Sequence, residues 1–379
     1  MFINFWYPVA LSAEIAAKTP YRTQILGLQF VAFRDGEGRP HVLSDTCVHR
    51  GGSLGKGTLK DGSVVCPYHG WRFAGDGRCT AVPSLGDGAK VPARAKVDSY
   101  PVEERYGIVF AFLGDQSEEE RSPLCPVEEY GKDGWRANEI MVFEVDYYYE
   151  RSMENGVDPA HNEFVHPTHG FSGERKDYRV KDYEVEHTPF GVWFNLEMES
   201  SGYKDEVMSK VRTHDSVTTA MSGTYGPNTI ITYVHMTETT WFHQYLFEAP
   251  IDESRTRIFF LNMRNFMLEP KLDKPILERN KLIAHQDIAI LTELNPVRTP
   301  PSNAKEILTP SDKVVVAYRE RLKDWEDKGW RIDMKALRRR AGDAAFAIPS
   351  PARRQAGNWV VDPVPLVAPD EKSTKLAAE

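Results

Sequence analysis

The chain has 379 residues, and its 55 acidic residues outnumber 47 lysines and arginines, which gives a formal net charge of −8. This acid excess argues against a nucleic-acid-binding protein, which would carry a basic face. The length exceeds what one hydrophobic core usually supports, so we expect two domains. Four cysteines in a chain of this length exclude a disulfide scaffold.

No stretch of the sequence approaches ~18 consecutive apolar residues, the length that a membrane-spanning helix needs. The first residues, Met1-Phe2-Ile3-Asn4-Phe5-Trp6, lack the basic region of a secretory signal. We therefore expect no membrane span and a cytoplasmic location.

Short apolar segments separated by glycine-rich turns fill residues 23–112. One of these turns, Asp35-Gly36-Glu37-Gly38, predicts a hairpin, and the whole region indicates a small all-β module. The polar run Gly114–Arg121 predicts a linker after it. We place the first domain at residues 1–120 and expect the boundary between residues 115 and 125.

Longer alternating segments follow the linker, and helices come after them. The pattern predicts a strand over Asn138–Val145 and a helix over Tyr147–Val165, then five strands: Tyr178–Glu186, Val192–Met198, Asn228–Met236, Thr240–Phe247 and Arg257–Phe266. Helices are predicted over Pro275–Leu294 and Ser311–Asp327. This order favours an α+β fold in which helices pack on an antiparallel sheet. The second domain would span residues 121–379 and end in an extended tail from Arg338.

Two cysteine–histidine pairs carry the strongest chemical pattern in the chain. Cys47 and His49 form the first pair, and Cys66 and His69 form the second after sixteen intervening residues. A buried cysteine by itself is ordinary packing, but the joint spacing of four ligand-type residues indicates a metal site. Structural zinc sites usually pair cysteine with cysteine and histidine with histidine. A Rieske-type [2Fe–2S] cluster needs two thiolates on one iron and two imidazoles on the other, which one pair per loop can supply.

The sequence around these pairs resembles the Rieske non-heme iron oxygenases. The matching segments are Cys47-Val48-His49-Arg50-Gly51-Gly52 and Cys66-Pro67-Tyr68-His69-Gly70-Trp71-Arg72-Phe73. Rieske proteins of respiratory complexes carry two further cysteines, where this chain has Gly52 and Tyr68, so the resemblance favours the oxygenase branch. Cys79 and Cys125 remain outside the pattern and are expected to be packing or surface thiols.

The resemblance implies a second, mononuclear iron held by two histidines and one carboxylate. Asp158, His161 and His166 match the family's motif residue by residue. On a regular helix His161 and His166 would point about 140° apart, so they converge only if the helix ends between them. Pro167 favours such an end, because the residue before a proline is displaced from helical geometry. His169 competes with His166 for the ligand role, and the motif favours His166.

The predicted helix Pro275–Leu294 offers the third ligand. Its spacing places one carboxylate, Asp287, on an otherwise apolar face that comprises Ile276, Asn280, Ile283, Ile290 and Leu294. An unpaired carboxylate is costly to bury, and a metal ion would remove that cost. His285 and Gln286 lie off this face and are expected to be solvated. The segment His285-Gln286-Asp287 also resembles the family's ligand-bearing helix.

The resemblance further implies a homotrimer in which the cluster of one subunit supplies electrons to the mononuclear iron of its neighbour. Asp158 then bridges a cluster histidine across the interface and His161 of its own subunit. Asn155 matches a position near the iron. The chain has no flavin or nicotinamide motif, so a separate NAD(P)H-dependent reductase, with or without a ferredoxin, must supply the electrons.

The expected protein is thus an iron-dependent oxygenase resembling vanillate and dicamba O-demethylases. It would use a Rieske cluster, Fe(II) and O₂ to hydroxylate or O-demethylate a hydrophobic aromatic or alicyclic small molecule. A steroid, sterol or terpenoid substrate is the alternative. An electron-transfer or zinc-binding protein without oxygenase activity is the hypothesis from another class, and it leaves the second ligand set unexplained. Five residues could line an apolar pocket: Trp193, Phe194, Trp241, Phe247 and Met263.

Overall fold

The computed structural model of the protein describes residues 1–369, apart from residues 87, 170, 172 and 199–217. The chain forms two compact units, Met1–Leu124 with Asp324–Glu379, and Cys125–Lys323. Among the described residues, no helix is long and apolar enough to cross a membrane.

The N-terminal part of the first unit is built from antiparallel strands, which confirms the predicted all-β module. Its strands up to residue 113 are β1 Phe5–Leu11, β2 Tyr21–Ile25, β3 Leu28–Arg34, β4 Pro40–Ser44, β5 Thr58–Lys60, β6 Ser63–Val65, β7 Arg72–Phe73, β8 Cys79–Ala81, β9 Ser99–Tyr100, β10 Val102–Arg105 and β11 Ile108–Leu113. They form three sheets in the orders β1-β11-β10, β2-β3-β4-β9 and β5-β6-β7-β8. The predicted hairpin joins β3 and β4, where Asp35 accepts hydrogen bonds from the backbone of Glu37 and Arg39.

The second unit contains one large antiparallel sheet with helices packed on it, which confirms the predicted α+β fold. Its elements are β12 Arg136–Ala137, β13 Met141–Val145, α1 Tyr149–Val157, α2 Asn162–Val165, β14 Val185–Thr188, β15 Gly191–Met198, β16 Thr218–Thr224, β17 Thr229–His235, β18 Trp241–Pro250, β19 Thr256–Arg264 and α3 Asp273–Leu291. The strand order is β12-β19-β18-β17-β16-β15-β14, and β13 also pairs with β19. Helix α1 packs on β16, β17 and β18, and α3 contacts α1 and α2.

The helix predicted over Tyr147–Val165 is interrupted at Asp158 and Pro159. Asp158 has extended backbone angles, φ −78° and ψ 119°, and ends α1. Pro159 explains the interruption, because its ring disfavours helical geometry at the preceding residue and it lacks a backbone N–H. The chain then re-enters a short helix, α2, and it is this second helix that separates His161 from His166.

The C-terminal segment differs from the prediction of an extended tail on the second domain. The helix predicted over Ser311–Asp327 is confirmed as α4 Lys313–Asp327. After it come α5 Met334–Arg340, β20 Phe346–Ala347, α6 Pro351–Gln355 and β21 Asp362–Pro363, and the part from Asp324 belongs to the first unit. Arg353 pairs with Asp98, whose side chain is almost fully buried, at 2.7 Å. Tyr100 donates a hydrogen bond to the carbonyl of the buried Ile348 at 2.8 Å. A buried carboxylate needs such partners, and the sequence does not show that distant residues provide them.

Candidate metal centres

The first cysteine–histidine loop, residues 47–52, follows β4 and closes on itself through its backbone. The N–H of Cys47 donates to the carbonyl of Gly52 at 2.8 Å, and the N–H of Gly51 donates to the carbonyl of Cys47 at 2.9 Å. Gly51 has φ +69°, a conformation that side chains disfavour. The loop therefore depends on glycine for its shape.

The second loop, residues 66–71, joins β6 to β7 and repeats this hydrogen-bond pattern. The N–H of Cys66 donates to the carbonyl of Trp71 at 2.8 Å, and the N–H of Gly70 donates to the carbonyl of Cys66 at 3.0 Å. Gly70 has φ +72°. The two loops thus present their cysteines and histidines from equivalent backbone turns.

The two loops approach each other closely at the four ligand-type side chains. A Cβ atom at Gly52 would lie 3.0 Å from Sγ of Cys66, so any side chain at this position would crowd the approach of the two loops. The ring centroids of His49 and His69 are 4.4 Å apart. The Trp71 ring stacks on the His49 ring with a centroid distance of 4.6 Å. Both cysteines are buried, whereas both histidines are exposed. A group held by all four would have its thiolate side inside the unit and its imidazole side at the surface.

This arrangement fits a two-iron cluster better than a single zinc ion. A metal ion needs at least three His, Cys, Asp or Glu side chains whose ligand atoms lie close together. Among the described residues, one such set has all its ligand atoms within 4.8 Å of one another, and it does not include Cys47, His49, Cys66 or His69. A tetrahedral zinc site would require that convergence. Burial raises the pKa of the Cys47 thiol to about 12, and the neighbouring Cys66 adds to the rise. A thiolate therefore needs a bound cation here.

The converging set consists of His161, His166 and Asp287. Oδ1 of Asp287 lies 3.2 Å from Nε2 of His166 and 3.8 Å from Nε2 of His161. The two rings are 5.2 Å apart and nearly perpendicular, at 76°. Two imidazoles and one carboxylate directed at one point fit a mononuclear iron with open coordination positions.

Local backbone geometry brings the two histidines together. His161 is the N-cap residue of α2, and His166 is its C-cap residue, with φ −114° and ψ 69°. The predicted end of the helix between the two histidines is therefore confirmed, because α2 ends at Val165 and His166, the residue before Pro167, leaves helical geometry. The helix between them has four residues, and both ligands lie at its ends, where side chains can turn towards a common point.

Each histidine is oriented by a hydrogen bond at Nδ1. Nδ1 of His161 lies 2.7 Å from the backbone carbonyl of Asp158, so Nδ1 is the donor, and in the neutral ring Nε2 is free of hydrogen. Nδ1 of His166 lies 3.1 Å from Oε1 of Gln286, whose Nε2 donates to Oγ1 of Thr168 at 2.5 Å. Such partners fix the tautomer and the ring orientation of metal-binding histidines. Both Nε2 atoms can then face a metal ion.

Gln286 corrects the sequence prediction, which placed this residue off the functional face and in solvent. Its side chain is half-buried against His166, whereas the neighbouring His285 is exposed as expected. The predicted apolar face of the helix also changes near its end, because Ile290 is 52% exposed and Leu291 is buried instead. The sequence signal that could have found Gln286 is its position directly before the carboxylate ligand Asp287. Helical spacing alone placed its side chain in solvent.

Asp287 is held by an amide as well as by the imidazoles. Nδ2 of Asn155 donates to its Oδ1 at 3.0 Å. Burial raises the pKa of Asp287, but the hydrogen bond and charge of His166 and the charge of His161 outweigh it, so the pKa is lowered overall. For His161, burial lowers the pKa, and Asp158 and Asp287 together raise it above its ordinary value. The set therefore favours the ionised carboxylate that a metal needs.

The Asp158 carboxylate holds the turn that leads into α2. Its Oδ1 accepts a hydrogen bond from the N–H of Ala160 at 2.7 Å, and its Oδ2 accepts one from the N–H of His161 at 3.2 Å. The predicted bridge to a second subunit stays a prediction.

His169, the competing histidine, is not part of the converging set. Its ring lies 4.9 Å from that of His166. Burial, together with the charges of His166 and Arg279, lowers the pKa of His169 well below its ordinary value. A neutral, half-buried ring beside His166 fits a role in the wall of the site.

A cavity of about 210 Å³ adjoins the His161, His166 and Asp287 side chains. Most of its wall is apolar, with Phe143, Phe194, Leu196, Val234, Met236, Phe242, Leu246, Ile258, Phe260, Ile283 and Ile288 among the lining residues. Of the five pocket residues proposed from the sequence, Phe194 lines the cavity. The other four each lie next to a residue on the cavity side of the sheet, so strand alternation directs them to the opposite face.

Two family models match the chain, one in each unit. The Rieske [2Fe-2S] domain matches residues 5–101, and the Vanillate O-demethylase oxygenase C-terminal domain matches residues 145–328. The two cysteine–histidine loops lie within the first match, and His161, His166 and Asp287 lie within the second. The chain belongs to the Rieske oxygenase family, whose members use a [2Fe–2S] cluster, a mononuclear iron and O₂.

Curated relatives match part of the chain. It is 38% identical over 184 residues to the phenoxybenzoate dioxygenase subunit alpha of Ectopseudomonas oleovorans, which covers 45% of this chain and 44% of that protein. It is 32% identical over 165 residues to the 4beta-methylsterol monooxygenase of Methylococcus capsulatus, covering 43% and 44%. The matched region thus spans less than half the length of these relatives.

Solved structures share the fold over most of the chain. NdmA of Pseudomonas putida CBB5 with caffeine aligns with a TM-score of 0.71 at 23% identity, over 84% of this chain and 90% of that one. Dicamba monooxygenase bound to dicamba aligns with a TM-score of 0.67 at 22% identity, over 85% and 96%. At these identities the likeness shows the fold.

Proposed function

We propose that this protein is the terminal oxygenase of a Rieske non-heme iron monooxygenase system. It would use O₂ and NAD(P)H-derived electrons from a separate reductase, with or without a ferredoxin. The observation that carries the proposal is the convergence of His161, His166 and Asp287 beside a largely apolar cavity. The family of the chain and the paired cysteine–histidine loops support it.

The residues that would hold each group follow from the two sites. Cys47 and Cys66 would bind one iron of the cluster, and His49 and His69 the other. His161, His166 and Asp287 would bind the mononuclear iron, which supplies the capacity to activate O₂ that no amino-acid side chain has.

The surrounding residues would set the geometry of the mononuclear site. Asn155 holds the carboxylate of Asp287, and Gln286 holds the ring of His166. The carbonyl of Asp158 fixes the tautomer of His161. The apolar wall would exclude water and place a C–H bond of the substrate near the ligands.

The substrate class follows from the size and lining of the cavity. About 210 Å³ lies below the ~300–1,000 Å³ typical of pockets for drug-sized ligands. This favours hydroxylation or O-demethylation of a small aromatic or alicyclic molecule. A sterol is the second candidate, which the likeness to the 4beta-methylsterol monooxygenase favours.

Electron transfer between subunits is part of the proposal. A homotrimer would bring a cluster histidine of one copy close to Asp158 of another. Asp158 is 24% exposed at its side chain, so its carboxylate can reach a partner while it holds the turn before α2.

Two variants test the function against a plain electron carrier or a zinc protein. We expect His69→Ala to fold and lose the Rieske absorption spectrum, whereas His166→Ala keeps that spectrum and loses product formation. Product is assayed with a reductase and methoxyarenes, by formaldehyde release. A colourless wild-type protein containing zinc, or near-normal turnover by His166→Ala, would contradict the proposal.

A further inference from the structure

One row of polar side chains crosses the cavity side of the large sheet. Ser222 on β16 pairs with Thr232 on β17, Thr232 pairs with Gln244 on β18, and Gln244 pairs with Asn262 on β19. Directly opposed residues of an antiparallel sheet project from the same face. Ser222, Thr232 and Gln244 line the cavity, so Asn262 projects from the same face of the sheet, where it lies beside Gln244 and is not itself a lining residue.

Apolar rows flank this polar row on both sides. Val234 pairs with Phe242 on one side, and Leu246 pairs with Ile230 and Phe260 on the other. All five line the cavity. The polar row is therefore a narrow stripe across an apolar wall, at positions where the fold would accept hydrophobic side chains.

The two hydroxyl groups of the row have partners within the protein. Oγ of Ser222 donates to the carbonyl of Gly156 at 2.9 Å and lies 3.1 Å from Oγ1 of Thr232. Gly156 belongs to α1, next to Asn155. This end of the row is thus tied to the helix that contacts Asp287.

The two amide side chains of the row, those of Gln244 and Asn262, differ from the two hydroxyl groups in their hydrogen bonding. Within the described part of the chain, neither the Gln244 nor the Asn262 side chain has a hydrogen-bond partner. Asn262 is only 2% exposed, and both its Oδ1 and Nδ2 are buried. Burying an amide without a partner is unfavourable, and an apolar residue of similar shape would be more stable there. A ligand that supplies the partners would account for both amides.

A third amide lies on the helix that covers this part of the sheet. Asn280 on α3 is 1% exposed, and its Oδ1 and Nδ2 also have no partner among the described residues. Ile276 belongs to the same hydrophobic cluster as Phe242, and Ile288 and Leu246 both pack against the cluster that contains Ile258. The turns of α3 between Ile276 and Ile288, which include Asn280, therefore lie opposite the part of β18 that contains Gln244.

We propose that Gln244 and Asn262 form a hydrogen-bonding subsite for a neutral carbonyl or amide group on an otherwise apolar substrate. Amide side chains offer one acceptor and two donors without charge, which suits such a group and not a carboxylate. A carboxylate would instead seek Arg279, which lines the cavity from α3. This inference rests on the proposed function, because it specifies the substrate of the same site.

The test compares three nearly isosteric probes: 4-methoxybenzamide, 4-isopropylanisole and 4-methoxybenzoate. Binding is measured by equilibrium dialysis on the full-length protein loaded with cluster and iron, without O₂. We expect the wild type to bind the amide about tenfold more tightly than the isopropyl probe. Gln244→Leu should abolish this preference. Leu246→Met is the matched control, because it changes a cavity residue on the same strand within an apolar row, and it should keep the preference.

Asn262→Leu adds a readout that a purely structural role would not produce. If Asn262 binds ligand, the leucine variant loses the amide preference and has a higher Tm, since an unpartnered amide has been removed. A higher Tm with the preference unchanged removes Asn262 from the subsite and overturns the inference.

The outcomes separate this inference from the proposed function. Equal affinity of the wild type for the amide and isopropyl probes, or no affinity for either, overturns the subsite. Tightest binding of the benzoate also overturns it. Loss of the amide preference in Gln244→Leu supports the subsite even if no formaldehyde is released, in which case the oxygenase proposal fails instead.

Discussion

Asn155 donates a hydrogen bond from Nδ2 to Oδ1 of Asp287 over 3.0 Å. Asn155 lies in the last turns of α1, and Asp287 lies 132 residues later near the end of α3. The same carboxylate oxygen faces Nε2 of His166 at 3.2 Å. The amide therefore fixes which way the carboxylate points before any metal binds.

Asn155→Ala should lower the affinity for the mononuclear iron about 10–100-fold, because Asp287 loses the group that orients it. The dissociation constant is measured by competition with an iron chelator. Asn162→Ala is the control, since Asn162 also lines the cavity but has no side-chain hydrogen bond among the described residues. Unchanged iron affinity in Asn155→Ala would show that the hydrogen bond is incidental.

Gln286→Leu should also lower the affinity for the mononuclear iron about 10–100-fold, in this case through His166. His166 then loses the acceptor that holds its Nδ1, and its ring can rotate away. His285→Ala is the matched control from the neighbouring position, where the side chain is exposed. Iron content and iron affinity, the latter by chelator competition, are compared in the two variants. Equal affinities would show that Gln286 does not support iron binding.

Asp158→Asn should leave both metal groups bound and slow electron transfer severely. The backbone carbonyl that orients His161 is unchanged in this variant, and an asparagine retains much of the capping ability. What is lost is the carboxylate charge proposed to bridge subunits. The measurement is single-turnover oxidation of the pre-reduced cluster with substrate and O₂ present.

The competing interpretation of Asp158 is a helix cap and nothing more. A lost cap costs about 1 kcal/mol of stability and leaves the chemistry nearly intact. Oxidation at the wild-type rate in Asp158→Asn would therefore establish the cap and exclude the bridge.

Glu248→Gln should make the second unit more stable at pH 8 and flatten its pH dependence. Glu248 lies on β18 with no exposed surface, its two carboxylate oxygens have no hydrogen-bond partner among the described residues, and burial raises its pKa from 4.5 to about 8. Between these values the folded protein retains a proton that the unfolded chain releases. Stability is therefore lost as pH rises from about 4.5 through about 8.

The measurement is Tm at pH 5 and at pH 8. The Tm of the wild type should fall more between pH 5 and pH 8 than the Tm of Glu248→Gln. Glu186→Gln, at an exposed position of β14, is the control and should behave as the wild type. An identical pH dependence in Glu248→Gln and wild type would mean that Glu248 is ionised throughout.

The sequence predicted the metal-ligand candidates because their chemistry is tied to short spacings. Cys47 with His49, Cys66 with His69, and Asp158 with His161 and His166 each lie within a few residues, so local turns decide their geometry. The structure brings His161 and His166 together with Asp287, the residue chosen from a helical face. The strands of the second unit were largely predictable from alternation, whereas β16, poor in large apolar residues, was not.

What only the tertiary structure decided are relationships between residues far apart in the chain. Gln286 holding His166, Asn155 holding Asp287, and the cross-strand row ending at Asn262 depend on helix placement and strand register. The C-terminal segment joins the first unit for the same reason, through the pairing of Arg353 with Asp98. Spacing along a chain determines which side chains a turn or helix presents. It does not determine which distant partner they meet, because that is fixed by packing of the whole fold.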